Sequence, residues 1–247
     1  MSILGIIPAR FASSRFPGKP LADIAGQTML QRVIRQARQA KKLSGLLVAT
    51  DDERIAEHAR AEGVSAVMTG SDHPSGTDRC YEAYCLAGAK EDYVINIQGD
   101  EPFIDPQQID ALAQICSGET QIATQMIACH DHEVLFDPGE VKVVLNTKQE
   151  ALYFSRSVIP HIKNKPQTEW HKLHTYYRHV GMYAYRQDIL KEICQLPPSG
   201  LELSESLEQL RWLENGYAIR CAVTPFDSHC IDTPEDISKV LRLMKIS

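Results

Sequence analysis

The sequence predicts an α/β fold: a mostly parallel sheet flanked by helices, with a smaller strand-rich excursion. Three observations carry this reading. Short apolar runs alternate with helical patterns through residues 4–115, the rhythm that a parallel sheet with crossover helices requires. The rhythm breaks within residues 121–185, where strand-like runs follow one another without helices between them. It resumes near the end, where an apolar run leads into a well-marked helix start. At 247 residues the chain suits one large domain, 1–247, that carries such an insertion.

Taken in order, Leu4 to Ile7 is a short apolar run, expected as a buried strand. Met29, Leu30, Val33, Ile34 and Ala37 repeat at helical spacing and predict a helix from Met29 to Ala40. Strands are expected at Leu46–Thr50, Ser65–Met68 and Tyr93–Ile97, and helices at Glu53–Glu62, Asp78–Ala87 and Pro106–Ile115. Pro106 suits the first helical position, where its missing N–H costs nothing. Within the excursion, Gln121–Cys129, Val141–Leu145, Ala151–Ser155 and Gly181–Tyr185 read as strands, and the polar stretch Pro160–His174 as a loop. Gln187–Cys194 and Glu205–Asn215 read as helices, and Ala218–Val223 as the last strand. Thr233 followed by Pro234, Glu235 and Asp236 marks the start of the final helix.

Bulk properties exclude several classes. With 43% hydrophobic and 23% charged residues the chain buries a core of its own. A formal charge of -6 argues against a nucleic-acid partner. No apolar run reaches the roughly 20 residues of a membrane span, and the short apolar start meets Pro8 without a basic flank, unlike a signal peptide. Seven cysteines with no C-x-x-C spacing fit reduced, packed thiols of a cytoplasmic protein.

Ligands of open α/β sheets bind beyond the carboxyl ends of the strands. The loop after the first strand, from Pro8 and Ala9 to Pro20, carries Arg10, Arg15 and Lys19 with Ser and Gly residues. Three cations on such a loop suit a triphosphate, and Gly lets backbone N–H groups approach an anion. It is no Walker A loop, because Pro20 follows Gly18-Lys19. The same composition also fits a solvated surface loop. Asp100, in Gln98-Gly99-Asp100-Glu101-Pro102, and Asp232 follow apolar runs and are candidate Mg²⁺ ligands, since Mg²⁺ takes one or two carboxylates and keeps other positions for water and phosphate. A turn or a helix cap would use the same acids. Ser71 to Arg79 offers hydroxyls, glycine and a guanidinium able to grip a carboxylate, and serves equally as a helix N-cap segment. His130 and His132 lack a third ligand nearby and read as a polar loop and not a zinc site.

The run Pro8-Ala9-Arg10, Ser13-Ser14-Arg15-Phe16-Pro17-Gly18-Lys19-Pro20-Leu21 resembles the signature loop of sugar-activating cytidylyltransferases. Ala49-Thr50-Asp51, Ser75-Gly76-Thr77-Asp78-Arg79, Asn96 to Pro102, Ala151 to Arg156, Arg178 to Gly181, Glu208 to Arg211 and Asp232 to Asp236 narrow the resemblance to the 3-deoxy-manno-octulosonate (Kdo) cytidylyltransferase family. The motifs run in order from residue 3 to about residue 242; Pro160–Thr175 matches none of them. The resemblance implies a Rossmann-like nucleotidyltransferase fold, a homodimer whose contact and sugar-site excursion falls within 121–185, and transfer of CMP from CTP to Kdo with release of pyrophosphate, for lipopolysaccharide assembly. It implies Pro8, Ala9, Arg10, Arg15, Lys19, Thr50, Ser75 and Gly76 at the nucleotide, with Arg10, Arg15, Lys19 and Asp100 catalytic. It implies Asp100 and Asp232 on Mg²⁺, and Arg79, Gln98, Arg156, His179, Tyr183, Glu208 and Gln209 at the sugar.

Such a reaction asks for positioning and charge neutralisation more than covalent chemistry. The sugar hydroxyl attacks the α-phosphorus in line with departing pyrophosphate, which Arg15 and Lys19 stabilise; no general base stands out. Arg79 or Arg156 is the expected partner of the sugar carboxylate. The competing readings are a cytidylyltransferase for the 8-amino analogue of Kdo or for sialate, and a non-catalytic nucleotide-binding protein of the same fold.

Overall fold

The computed structural model describes residues 1–13, 15–227 and 229–245; Ser14, part of the basic loop, lies outside them. The chain forms two compact units, Met1–Gln114 with Asp227–Ser247, and Ile115–Phe226.

The first unit opens with β1 (Ile3–Ala9), the short hairpin β2 (Asp23–Ile24) and β3 (Gln27–Thr28), and α1 (Met29–Ala37). Then come β4 (Gly45–Thr50), α2 (Glu53–Ala61), β5 (Ser65–Met68), α3 (Gly76–Leu86), β6 (Tyr93–Asn96) and α4 (Pro106–Ile115). The strands lie in the order β6-β1-β4-β5, all parallel. Ile6, Ile7, Val48, Ala49, Val94 and Ile95 are fully buried, as expected of a parallel sheet covered on both faces. Register pairs Ala9 with Thr50 and Ile6 with Asn96, so three strands deliver their carboxyl ends to one edge.

Side-chain caps fix the helix starts. Thr28, Asp52 and Ser75 accept hydrogen bonds from the backbone N–H of Gln31, Arg54 and Asp78, satisfying donors that a first helical turn leaves open. Ser75 therefore starts α3 two residues before the expected Asp78. α1 stops short of Ala40 because Gln39 and Ala40 bond back to Gln36 and Ala37, the tighter i→i−3 pattern of a closing turn.

The second unit contains β7 (Ile122–Cys129), α5 (His132–Phe136), β8 (Lys142–Leu145), β9 (Ala151–Ser155), α6 (Trp170–Leu173) and β10 (Tyr176–Arg186). It continues through α7 (Gln187–Ile193), α8 (Gly200–Glu205), α9 (Gln209–Glu214) and β11 (Ile219–Val223). β7 lies between antiparallel β10 and parallel β11, and β8 joins β10 to β9.

Three expectations change here. β10 begins at Tyr176 and not at Gly181, because Gly181 sits inside the strand, where the register with β7 shifts between Val180 and Tyr183. The helix expected from Glu205 to Asn215 is two helices, interrupted at Ser206, which takes the left-handed conformation (φ 54°, ψ 49°). The stretch 160–174 is not all loop: a 3-10 turn at Gln167–Glu169 leads into α6, and buried Trp170 anchors it against Cys129, Leu135 and Tyr176. His130 and His132 flank Asp131, whose carboxylate caps α5 by accepting from Glu133 and Val134. All seven cysteines are free, and four of them are buried.

The chain then re-enters the first unit with α10 (Pro234–Leu243). The backbone N–H of Thr233 donates to Asp236 Oδ2 at 3.0 Å, as that of Asp232 does at 3.2 Å. Val240, Ile237 and Leu241 pack with Ile24, Met29 and Ile231. The Ile231 N–H donates to the Asp100 carbonyl at 2.9 Å, setting Asp232 beside the loop that follows β6.

Candidate active site

The carboxyl ends of β1 and β6, the start of α3 and the turn before α10 enclose a cleft of about 260 Å³ in the first unit. Pro8, Ala9, Arg10, Arg15, Lys19, Ser75, Gly76, Arg79, Gln98, Asp100 and Asp232 all line it. These eleven residues, which span 225 positions of the chain, line one cleft. Thr50 is not among the lining residues: it is fully buried, and its hydroxyl accepts from the Asp52 N–H at 3.2 Å.

The basic loop folds on Phe11, whose carbonyl accepts from the N–H of both Ser13 and Gly18. Gly18 has φ 72°, and a Cβ there would meet the Phe11 ring at 3.2 Å, so glycine is required on two counts. From this turn Lys19 enters the cleft. Its Nζ donates to Asp100 Oδ2 at 2.9 Å and to Asp232 Oδ1 at 3.3 Å. Arg15 Nη1 donates to the other oxygen of Asp232 at 3.0 Å. One ammonium thus holds two carboxylates together, within reach of a single small cation. Arg10 is exposed and, among the described residues, carries no ion pair, leaving its charge for an anion.

Gly99 fixes the floor. A Cβ there would lie 2.7 Å from the Pro8 carbonyl oxygen, closer than side-chain carbons approach backbone. The loop after β6 touches the end of β1 because residue 99 has no side chain.

Arg79 is almost wholly buried. Its Nη1 donates to Thr69 Oγ1 at 2.6 Å and its Nη2 to Asp51 Oδ2 at 3.2 Å. Much of its charge is therefore met inside the protein. Sequence reading gave Asp51 no role, yet the acid after β4 follows the same strand-end rule that singled out Asp100. His73 also lines the cleft without having been assigned a part.

The remaining candidates lie in the second unit. The bulge in β10 is organised by Thr124, whose Oγ1 lies 3.1 Å from the Val180 carbonyl, 2.9 Å from the Met182 carbonyl and 2.9 Å from His179 Nε2. It brings the His179 and Tyr183 rings to 5.1 Å, and Trp212 meets Tyr183 edge-on, also at 5.1 Å. Desolvation pushes the His179 pKa down to about 3, so the ring is neutral. Burial raises the Tyr183 phenol well above its usual value, and nearby Glu208 adds to this. Gln209 is buried. Arg156 donates from Nε to the Glu205 carbonyl (2.7 Å), from Nη1 to that of Pro138 (3.0 Å) and from Nη2 to that of Ser206 (3.4 Å). Its guanidinium clamps backbone here, whereas a free carboxylate grip was expected. The Glu205 carboxylate completes the clamp on Ser155 Oγ and the Arg156 N–H.

Comparison with known proteins converges on one family. A sequence model of the family described as "Cytidylyltransferase" matches residues 4–223. The chain is 53% identical to a 3-deoxy-manno-octulosonate cytidylyltransferase of Parabacteroides distasonis, over 99% of this chain and 98% of that one. It is 52% identical to a protein of the same name from Cytophaga hutchinsonii, over 97% and 96%. Among solved structures, CMP:2-keto-3-deoxy-manno-octonic acid synthetase complexed with CTP superposes with a TM-score of 0.91 at 42% identity, covering 99% of both chains. A cytidylyltransferase of Leptospira borgpetersenii shares the fold at 15% identity, with a TM-score of 0.62.

Two predictions follow from these contacts. Gly99→Ala should force the loop after β6 away from the end of β1, lowering stability by about 1–3 kcal/mol and weakening nucleotide binding, whereas Gly118→Ala, where a Cβ meets nothing within 4 Å, should do neither; denaturant titration and calorimetric binding read both. His179 stays neutral when folded but takes a proton below about pH 6.5 when unfolded. Its contribution is therefore complete above pH 6.5 and is lost as pH falls toward 3. Denaturant melts at pH 7.5 and 5.0 should differ by about 2 kcal/mol on its account. His179→Gln should remove that difference; an unchanged difference would show that the imidazole titrates normally.

Proposed function

The chain belongs to the 3-deoxy-manno-octulosonate cytidylyltransferase family, and from that premise we propose how its residues divide the reaction. It transfers CMP from CTP to Kdo, giving CMP-Kdo and pyrophosphate. The observation that carries the division of roles is the meeting of Lys19 with Asp100 and Asp232 at the cleft.

Two carboxylates that converge on one cation form a donor set suited to Mg²⁺, which asks for few protein ligands and shares its remaining positions with water and phosphate. Among the described residues no cluster of three or more His, Cys, Asp or Glu forms a closed metal cage, so this set fits an ion shared with substrate. Asp100 and Asp232 would hold it, and when bound it would polarise the α-phosphate and the attacking hydroxyl. Lys19 offsets the repulsion between the two acids and offers its ammonium to the departing pyrophosphate. Arg15 and Arg10 meet the outer phosphates, where the charge of a triphosphate is greatest. Ser75 and Gly76, at the first turn of α3, flank the nucleoside. Gln98 on the cleft, and His179, Tyr183, Glu208 and Gln209 in the second unit, serve the sugar. Neutral His179 there acts as a hydrogen-bonding group and not as a cation. Arg79 supports the cleft through Asp51 and keeps donors for the sugar carboxylate, while Arg156 acts by holding Glu205 and Ser206 just ahead of Glu208.

The product suits lipopolysaccharide assembly. Free cysteines and consumption of CTP favour the cytoplasm as its place. No described helix is long and apolar enough to cross a membrane. A homodimer is favoured by the family resemblance, and Leu152 and Leu173, within 121–185 and 60% and 50% exposed, are apolar side chains that such a contact would cover.

Purified protein supplied with CTP, Kdo and Mg²⁺ should release pyrophosphate, and EDTA should abolish the release. Asp100→Asn should cost about a hundredfold or more in kcat, and Lys19→Ala should lower kcat more than Kdo affinity. Turnover that survives EDTA, or normal kinetics for Asp100→Asn, would refute the ligand role. Sedimentation velocity should give twice the chain mass of 27.7 kDa, and Leu152→Glu should shift it toward monomer; a wild-type monomer would overturn that assembly.

A further inference from the structure

His73 lies in the turn between β5 and α3, on the wall of the cleft, with its side chain 19% exposed. Its Nε2 is 2.5 Å from Glu82 Oε2. The same carboxylate oxygen accepts the Gly70 N–H at 2.8 Å, so Glu82 staples both ends of the turn to α3. Those two hydrogen bonds, with the His73 contact the larger, hold the Glu82 carboxyl below its usual range. An ionised carboxylate only accepts, so the proton of a neutral imidazole must sit on Nε2. Nδ1 then carries a lone pair, and among the described residues nothing hydrogen-bonds it.

That lone pair is unusual on this wall. Arg10, Arg15 and Lys19 only donate. Asp100 and Asp232 are engaged by Lys19. Ser75 Oγ accepts from the Asp78 N–H and donates to its carboxylate at 2.6 Å. Gln98 carries both a donor and an acceptor on one amide, so its residue type alone does not favour an amino over an oxo group. A cytosine ring differs from uracil at position 4, where an amino donor replaces an oxo acceptor. Telling them apart at that position calls for an acceptor whose polarity is fixed, as a donor would be needed at N3, where cytosine has a lone pair and uracil an N–H.

We propose that His73 reads the base: its Nδ1 accepts a hydrogen bond from the 4-amino group of cytosine, and Glu82 fixes the tautomer that makes this possible. Uracil would set its oxo group against the same lone pair and be disfavoured. The inference rests on the reading of this cleft as the CTP site and adds to it the group that selects the base. Glu82 is a positioning residue, since it acts on the nucleotide only through His73.

Calorimetric titration of the whole protein with CTP and with UTP tests it, because a ratio of affinities ignores any general loosening of the turn. Wild type should prefer CTP. His73→Ala should cut that preference by about tenfold, the worth of one hydrogen bond, by weakening CTP while UTP, relieved of the opposing lone pair, binds no worse than before. Glu82→Gln is almost isosteric, but its amide can turn to set the NH2 against His73 Nε2 in place of the oxygen that now meets both His73 and Gly70, which admits the other tautomer, so it should give a smaller loss of the same kind. Equal weakening of both nucleotides in His73→Ala, or an unchanged ratio, would mean that backbone carbonyls read the base and would overturn the proposal, as would a wild type without preference. Turnover with CTP and Kdo, measured on the same wild-type sample, is judged separately: its absence would count against the activity, and the binding ratio would still decide the part of His73.

Discussion

One ammonium between two carboxylates organises this molecule's site. Lys19, Asp100 and Asp232 come from the loop after β1, the loop after β6 and the turn before α10. Two carboxylates at that separation repel, and the repulsion grows as the cleft excludes water. The Lys19 ammonium offsets it, and only then can a segment more than 130 residues downstream of Asp100 return to this edge of the sheet. The Ile231 N–H to Asp100 carbonyl bond adds a neutral tie beside the charged one. The contacts are also exchangeable. On the proposed division of roles, an arriving triphosphate would compete for Lys19 and so free the carboxylates for a divalent cation.

The cations of the chain divide by what they touch. Arg79 and Arg156 were equal candidates for a sugar carboxylate, since sequence shows only a guanidinium near a motif. The structure gives them different partners. Arg156 spends Nε and both terminal nitrogens on backbone carbonyls around Ser206, a residue whose left-handed conformation breaks what otherwise reads as one helix. A strained turn just ahead of Glu208 and Gln209 needs such a clamp, because non-glycine residues adopt that conformation only when their surroundings impose it. Arg79 meets Asp51 and Thr69 and faces the cleft as well. Arg10 and Arg15, on the outer loop, keep the freer charge. Positive charge is therefore graded from the interior outward, which suits an anion that enters with its most charged end toward solvent.

Much of this was legible in the sequence, for a physical reason. Buried parallel strands write themselves as apolar runs, and the residues just past them face the ligand whatever the ligand is. Asp100, Arg10 and Lys19 were singled out by that rule, and the cap at Thr233 by the Pro234, Glu235 and Asp236 that follow it. What stayed hidden depends on contacts made across the chain. The bulge in β10 is set by Thr124 on a neighbouring strand, so Gly181 looked like a strand start. Ser206 carries no local sign of positive φ, since serine is ordinary in a helix. α6 is four residues long and exists because Trp170 finds a pocket among Cys129, Leu135 and Tyr176. Thr50 shares a motif with cleft residues yet turns its hydroxyl to Asp52, because strand residues alternate faces and a motif does not say which face is wet.

The polar groups of the cleft are largely paired before substrate arrives: Lys19 with two acids, Ser75 with Asp78, Arg79 with Asp51, His73 with Glu82. Pairing of this kind limits the desolvation cost of a site that closes over charge. It also separates two tasks. Ion pairs, with lysine between two acids and exposed arginine, suit phosphates, whose oxygens are equivalent and need charge more than direction. Fixed pairs suit a base, whose identity lies in the direction of one hydrogen bond. Glu82 serves the second task because it meets His73 and the Gly70 backbone at once: a residue tied at two points cannot turn to satisfy the wrong partner. Affinity for the nucleotide and choice of the nucleotide are thus assigned to different side chains on the walls of one cleft.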